Sequence, residues 1–240
     1  MLSGITLAAC FSSCNTTMYV SNAVNAPVLK EKGEVKVAVT QNDLQAAVGA
    51  GNNFGIIANG YFQNYKGSNN YEHGGGYGEL GMGFFTNTED DNHLFFEMYG
   101  GAGYGAIHKQ EMFRDQFDNS YMARFNAEAG KIFLQPDFAY SGKFLDVIFT
   151  PKFSFVKYTS FTQTNYPQQE LRDDYLDNDN LTGPVFMFAE PALTVRGGYK
   201  FIKLQAQFGL TLNLTGNNIR HPSNFSSLGL VFDIARWYKD

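Results

Sequence analysis

The sequence has few cysteines, no long apolar run and no excess of basic residues, and each absence excludes a class of protein. The two cysteines are Cys10 and Cys14, so the rest of the chain holds neither a disulfide framework nor a cysteine-ligated zinc site. No stretch approaches the roughly 18 apolar residues that a membrane-spanning helix needs. The 18 Lys and Arg residues are scattered among 23 Asp and Glu residues, so we expect no nucleic-acid partner.

An alternation of apolar and polar residues is the main pattern present. In "IKLQAQFGLTLNL", residues 202–214, every second residue is apolar, which is the period of a β-strand with one apolar face. The same test predicts ten strands, and the high content of Gly, Phe and Tyr agrees with this. The predicted apolar segments lie within 35–40, 44–50, 54–62, 80–84, 94–102, 132–138, 145–155, 193–195, 201–214 and 228–234.

The predicted connections divide into two groups. Short turns lie near 52–53, 87–92, 141–142 and 198–199, whereas the alternate connections are longer polar loops, apart from a tight turn at 41–42. Short turns at one end and long loops at the other resemble the layout of bacterial outer-membrane barrels. We therefore expect a closed antiparallel transmembrane β-barrel of about ten strands, with eight possible. Its turns would be periplasmic, its loops extracellular, and both termini would lie at the turn end.

The face opposite the apolar residues carries seven acidic and five basic residues. A ten-stranded lumen is too narrow to bury all the apolar residues. We therefore expect the apolar residues to face lipid and the charged residues to close the lumen. Pro136, Pro151 and Pro191 fall inside predicted strands, where we expect β-bulges. The predicted lumen charge network is Lys36, Glu79, Glu97, Glu128, Lys131, Asp137, Asp146, Lys152, Glu190, Arg196, Lys203 and Asp233.

Aromatic residues near the strand ends are typical of the membrane interface. The last predicted strand, "SLGLVFDIARWY", resembles the C-terminal signal by which outer-membrane barrels are recognised for assembly. The interfacial aromatic residues are predicted to be Tyr61, Tyr65, Phe84, Phe85, Phe95, Phe96, Tyr158, Tyr199, Phe201, Trp237 and Tyr238.

The N-terminal motifs "LAAC" and "FSSC" resemble the lipobox of bacterial lipoproteins, in particular those of the Bacteroidetes type. The resemblance implies lipidation of Cys14, with Cys10 as the alternative, and anchoring in the periplasmic leaflet because no acidic run follows the cysteine. It divides the chain into a signal peptide at 1–13, a lipidated linker at 14–32 and an outer-membrane barrel at 33–240.

The expected function is that of a non-enzymatic accessory or structural subunit of a larger outer-membrane complex for export, uptake or assembly. Its expected partners are outer-membrane lipid and a larger outer-membrane protein. We predict no cofactor, catalytic or metal site, because "GYGELG" lies in a strand and "DDYLDNDN" lacks calcium-loop spacing. The alternatives are a small substrate pore and a hydrolase at the rim, for which His73, His108 and His221 are the candidate bases.

Overall fold

The chain forms a closed barrel of ten antiparallel strands, which confirms the predicted fold class. The computed structural model describes residues 17–67, 71–86, 93–114, 117–173 and 181–234. No helix in these ranges is long and apolar enough to cross a membrane. The elements are β1 (Val35–Thr40), β2 (Asp43–Gly49), β3 (Phe54–Lys66), β4 (Glu72–Phe85), β5 (Leu94–Arg114), β6 (Ser120–Ser141), β7 (Leu145–Thr164), α1 (Gln168–Asp173), β8 (Phe186–Tyr199), β9 (Ile202–Leu210), β10 (Leu212–Asn213) and β11 (Asn224–Asp233).

The barrel wall follows the chain order. Strands β1 to β8 each pair with the next strand along the chain, and β10 continues β9 in the same register against β8. Strand β11 then pairs with both β9 and β1, which closes the wall. Every described strand except the two-residue β10 is therefore paired on both sides, and the described part of the wall presents no long open sheet edge.

The two ends of the barrel differ. Of the described connecting residues, 50–53, 86, 93, 142–144 and 200–201 lie at the turn end. Residues 41–42, 67, 71, 117–119, 165–173, 181–185 and 214–223 lie at the loop end. Strands β5, β6 and β7 have 21, 22 and 20 residues, which is longer than predicted. Their loop-end parts are polar on the outside, so the apolar alternation stops before the strands do. The wall is consequently tall at β5–β7 and low at the β1–β2 hairpin.

Apolar side chains cover the outer face of the wall. Leu80, Ile132 and Leu204 on three different strands are each 59% exposed. On β6 the apolar residues run from Tyr140 to Gly130, about the 9–11 residues with which a tilted strand spans a bilayer. We call this band the apolar belt. Its outward-facing members include Val39, Leu44, Phe54, Leu80, Met82, Phe84, Leu94, Ile132, Leu134, Phe138, Phe149, Phe155, Leu193, Val195, Leu204, Phe208, Leu228 and Leu230.

Aromatic side chains at the ends of the belt fall on both faces. Tyr140 and Tyr199 are exposed at the turn end, and Tyr65 and Tyr104 are exposed towards the loop end. Four of the predicted interfacial rings instead point into the lumen, because they occupy the other parity of their strands. These inward rings are Tyr61, Phe85, Phe95 and Tyr158.

The three strand prolines form a row on the outer wall. Pro151 pairs with Pro191, and Pro136 lies beside Pro151 where the β6–β7 ladder is interrupted between Leu134 and Phe138. The register is the same before and after the prolines, so the predicted bulges are wrong. The β6–β7 register shifts only at Glu128/Ala129, where Thr159 is the extra residue.

The N-terminal segment occupies the lumen, although the sequence predicted a linker at 14–32 and both termini at the turn end. Residues 18–29 run from the loop end to the turn end inside the barrel, and most of them are fully buried. Gly33, with a positive φ of 85°, lies in the turn that leads from this segment into β1. We call residues 18–29 the plug. The predicted signal peptide and both cysteines lie outside the described residues.

Candidate functional site in the barrel lumen

The plug is an extended chain that makes no ladder with the wall. Its backbone is bound by side chains that point inward from the strands. Gln207 holds both backbone groups of Val24: Val24 N–H donates to Gln207 Oε1 at 2.7 Å, and Gln207 Nε2 donates to the Val24 carbonyl at 3.1 Å. Because an unpaired buried backbone group costs about 1–3 kcal/mol, these contacts are what permit an irregular chain inside the barrel.

Two further glutamines bind the plug backbone from other sides of the wall. Gln45 Nε2 on β2 donates to the Ala23 carbonyl at 2.9 Å, and Gln135 Nε2 on β6 donates to the Asn25 carbonyl at 2.7 Å. The Ala23 N–H donates to Asp43 Oδ1 at 3.2 Å. Long amide side chains placed around the wall therefore fix the centre of the plug from several directions.

The loop-end half of the plug is held by aromatic and hydroxyl groups. The ring of Tyr19 stacks on Phe188 with 4.2 Å between centroids, and its hydroxyl donates to Glu190 at 2.7 Å. Ser21 Oγ also donates to Glu190, at 2.5 Å. Met18 N–H donates to the Arg220 carbonyl of the loop before β11 at 2.9 Å.

A buried ionic cluster lies beside this half of the plug. Glu79 is paired with Lys131 at 2.7 Å and with Lys152 at 3.0 Å, and each of these side chains is at most 2% exposed. Asn59 and the plug residue Asn22 donate to the same carboxylate at 2.9 and 3.0 Å. Glu190 lies 4.0 Å from Lys131 and completes a cluster of two carboxylates and two ammonium groups. The cluster is electrically balanced, so its charges can remain ionised away from water.

The turn-end half of the plug is bound by a carboxylate. Glu97 on β5 accepts the N–H groups of Val28 at 2.9 Å and Leu29 at 2.6 Å, and Lys36 Nζ donates to the Val28 carbonyl at 2.5 Å. Val28 has a positive φ of 56°, which is rare for a β-branched residue. These three bonds hold the backbone in that conformation, which costs on the order of 1–3 kcal/mol.

Leu29 ends the plug in an apolar cluster with Ile57, Phe85, Tyr99 and Phe133. Glycines of the wall provide the space. A Cβ on Gly55 would lie 2.8 Å from the Leu29 side chain, and one on Gly101 would lie 2.6 Å from Phe133. The inward glycines thus make room for the plug and for aromatic rings, while Gly103 lies against the side chain of Glu79 and Gly198 against that of Lys203.

Charged side chains at the turn end form smaller pairs. Lys203 is 2.7 Å from Asp146, and Lys36 is 3.1 Å from Glu34. Burial alone raises the pKa of the Glu34 carboxyl, but the Lys36 ammonium and the N–H of Lys30 together lower it more. The pKa of Glu34 therefore lies below its ordinary value of 4.5, and the group is ionised at neutral pH.

Most residues of the predicted charge network point into the lumen. Arg196 donates to Gln205 at 2.8 Å, and Asp137 accepts from Gln135 and Thr150. Glu128 does not point into the lumen. It is exposed on the outer wall, where the Tyr104 hydroxyl donates to it at 2.7 Å. It has the outward parity of β6, so its sequence placement was wrong. Lys36, Lys203 and Asp233 are half-buried at the turn end, whereas Glu79, Glu97, Lys131, Asp137, Asp146, Lys152, Glu190 and Arg196 are buried.

The three candidate histidines are not brought together. His73 on β4 has the lumen-facing parity, His108 on β5 has the outward parity and lies over Gly74, and His221 packs edge-on against Phe188. In the described ranges there is no group of three His, Cys, Asp or Glu residues placed to hold a metal ion.

The plug itself and the amides that bind it are the functional residues that the sequence analysis missed. An extended segment held by side chains has no periodicity, and Gln45, Gln135 and Gln207 read only as ordinary polar residues of alternating strands. The asparagines and serine of "SNAVNAPVL" are buried and therefore need hydrogen-bond partners, but their burial cannot be read from the sequence.

Comparisons with family models, curated proteins and solved structures return no match for this chain.

Proposed function

We propose that this protein is an outer-membrane β-barrel lipoprotein that acts as a non-enzymatic accessory or structural subunit of a larger outer-membrane complex for export, uptake or assembly. The observation that carries the proposal is the plugged lumen. Residues 18–29 fill the space through which a solute would pass, and a balanced ionic cluster fixes them there. The outer wall and the loops then remain as the functional surfaces.

The apolar belt supports insertion into a membrane. Its exposed aliphatic and aromatic side chains surround the wall, and exposed aromatic rings lie at both of its ends. Outer-membrane barrels have the same order of an apolar band between two aromatic girdles. A water-soluble monomer rarely exposes a contiguous apolar patch of more than a few hundred Å².

The loop end offers a surface for a protein partner. Strands β5, β6 and β7 extend beyond the belt, and α1 packs there through Leu171 in a buried cluster with Phe125 and Tyr166. Residues 165–173, 181–185 and 214–223 complete this raised rim. Under this proposal the bilayer covers the wall, the rim contacts the partner, and Cys14 carries the lipid.

Affinity purification from the native outer membrane in mild detergent tests the proposal. We expect a larger barrel protein at a stoichiometric ratio, together with a lipidated mature N-terminus by mass spectrometry. Recovery of a lone monomer under several mild detergents would contradict the subunit role. Discrete conductance steps of the wild-type protein in planar bilayers would contradict the closed lumen and favour a pore.

A further inference from the structure

We propose that the plug carries the chain across the entire apolar belt, so that the lipid on Cys14 enters the leaflet on the loop side of the membrane. This inference rests on the lipidation in the proposed function. The path of the plug, however, is an observation that does not depend on lipidation. With the loops extracellular, the lipid lies in the outer leaflet and the protein is anchored at the cell surface.

The direction of the plug follows from the order of its contacts. Met18 bonds to Arg220 at the loop end, Val24 bonds to Gln207 near the middle of the wall, and Leu29 bonds to Glu97 near the turn end. The next residues form the turn into β1, where Gly33 N–H donates to the Gly49 carbonyl at 2.7 Å. The chain thus descends inside the barrel and then begins the wall from the turn end.

The start of the plug lies at the loop-side edge of the belt. The carbonyl of Met18 accepts from Tyr158 at 2.5 Å, and Tyr158 is flanked on β7 by the outward-facing, exposed Lys157 and Thr159. The outward residues of β7 are apolar from Leu145 to Phe155, so Lys157 marks the point at which the wall becomes polar. Met18 therefore lies at the level of the loop-side membrane surface.

Chain length decides which leaflet the lipid can reach. Cys14 precedes Met18 by four residues, and four extended residues span at most about 14 Å. The apolar band of an outer-membrane barrel is about 25 Å tall. Cys14 can therefore reach the leaflet next to Met18, but it cannot reach the far leaflet while the plug stays in place.

This result changes an expectation drawn from the sequence. Extracellular loops and an anchor in the periplasmic leaflet were predicted together, which requires the segment before β1 to remain at the turn end. The buried plug connects the two ends, so the two expectations exclude each other. The lipid and the long loops share one side.

Labelling of single cysteines with a membrane-impermeant maleimide tests the inference in the full-length protein, expressed in the outer membrane of a Gram-negative host. The variant Thr17→Cys reports the start of the plug. Ser223→Cys is the matched control at the loop end, and Lys143→Cys is the control at the turn end. Labelling in intact cells is compared with labelling after permeabilisation, and denatured samples give the total thiol.

We expect the labelling of Thr17→Cys to follow that of Ser223→Cys. With the loops extracellular, both variants react in intact cells, whereas Lys143→Cys reacts only after permeabilisation. Labelling of Thr17→Cys together with Lys143→Cys would overturn the inference. The wild-type protein separates the two proposals, because a lipidated cysteine is a thioether and does not react. A reactive wild-type Cys14 would refute lipidation. Thr17→Cys in a Cys10→Ser/Cys14→Ser background would then carry a single thiol and still report the path of the plug.

Discussion

The change Glu79→Gln tests whether the buried ionic cluster holds the barrel and plug together. The carboxylate binds Lys131 at 2.7 Å and Lys152 at 3.0 Å, and it also accepts from Asn59 and from Asn22 of the plug. A glutamine has nearly the same shape but no charge, so the variant leaves two buried ammonium groups with one carboxylate. That remaining carboxylate is Glu190, 4.0 Å from Lys131.

The expected loss of stability is large. Removing one partner of a buried ion pair typically costs 3–5 kcal/mol, because the other charge stays buried without compensation. Glu190 compensates Lys131 in part, so we expect about 3 kcal/mol, at the lower end of that range. The double variant Glu79→Gln/Lys152→Met restores the charge balance, and the methionine can pack where Lys152 now lies 4.6 Å from the ring centroid of Phe133. It should recover at least half of the loss.

The assay is equilibrium unfolding in urea from lipid vesicles, with the folded fraction read from the gel shift between folded and unfolded barrel. Glu72→Gln is the matched control, since its pair with Lys66 is exposed at 37% and 69% and should leave the midpoint unchanged. The reasoning is refuted if Glu79→Gln unfolds at the same urea concentration as Glu72→Gln. It is also refuted if adding Lys152→Met to Glu79→Gln lowers the unfolding midpoint further.

Three further predictions use the same unfolding assay. Gly101→Ala should destabilise the barrel by about 1–3 kcal/mol, because the new Cβ would lie 2.3 Å from the Leu80 carbonyl oxygen. Gly78→Ala is the control and should leave the stability unchanged, because the space around Gly78 is open. Equal effects of the two variants would contradict the close approach at Gly101. Leu134→Lys, in the middle of the belt, should lower the free energy of unfolding in vesicles by about 2–4 kcal/mol. Asn126→Lys, which faces outward above the belt on the same strand, is the control. An unchanged unfolding midpoint for both variants would contradict insertion of the belt. Since the pKa of Glu34 is lowered, its contribution should be complete above its ordinary pKa of 4.5 and be lost as the pH falls through its lower folded value. Glu34→Gln should lack that acid-side loss, and an unchanged pH profile would contradict the assignment.

The wall of the barrel could be predicted from the sequence because each strand has one apolar face. Where the alternation is unbroken, as at 202–214, it determines both the strand and the outward parity of its residues. Strand length could not be predicted at β5–β7, because above the belt both faces are polar and the pattern ends. Glu128 lies four residues before the outward-facing Ile132 and has the same parity, so its assignment to the lumen departed from the alternation, which places it on the outer face.

The contents of the lumen could only partly be predicted. Charged residues on inward positions, such as Glu79 and Lys152, are visible in the sequence, but their partners come from strands far apart in the chain. The plug is determined by single contacts, for example between Val24 and Gln207, which are 183 residues apart. No local pattern records such a contact, so a buried extended segment and an exposed linker look alike in the sequence.

The most direct test of the central claim is the hydrogen exchange of the plug amides in the full-length protein in lipid nanodiscs. Val24, Val28 and Leu29 donate to buried side chains of the wall, and Ala23 donates to Asp43. We predict that these four amides are protected as strongly as those of the neighbouring strands. Complete exchange of all four within seconds, while the strands stay protected, would show that the segment lies outside the lumen and would contradict the account.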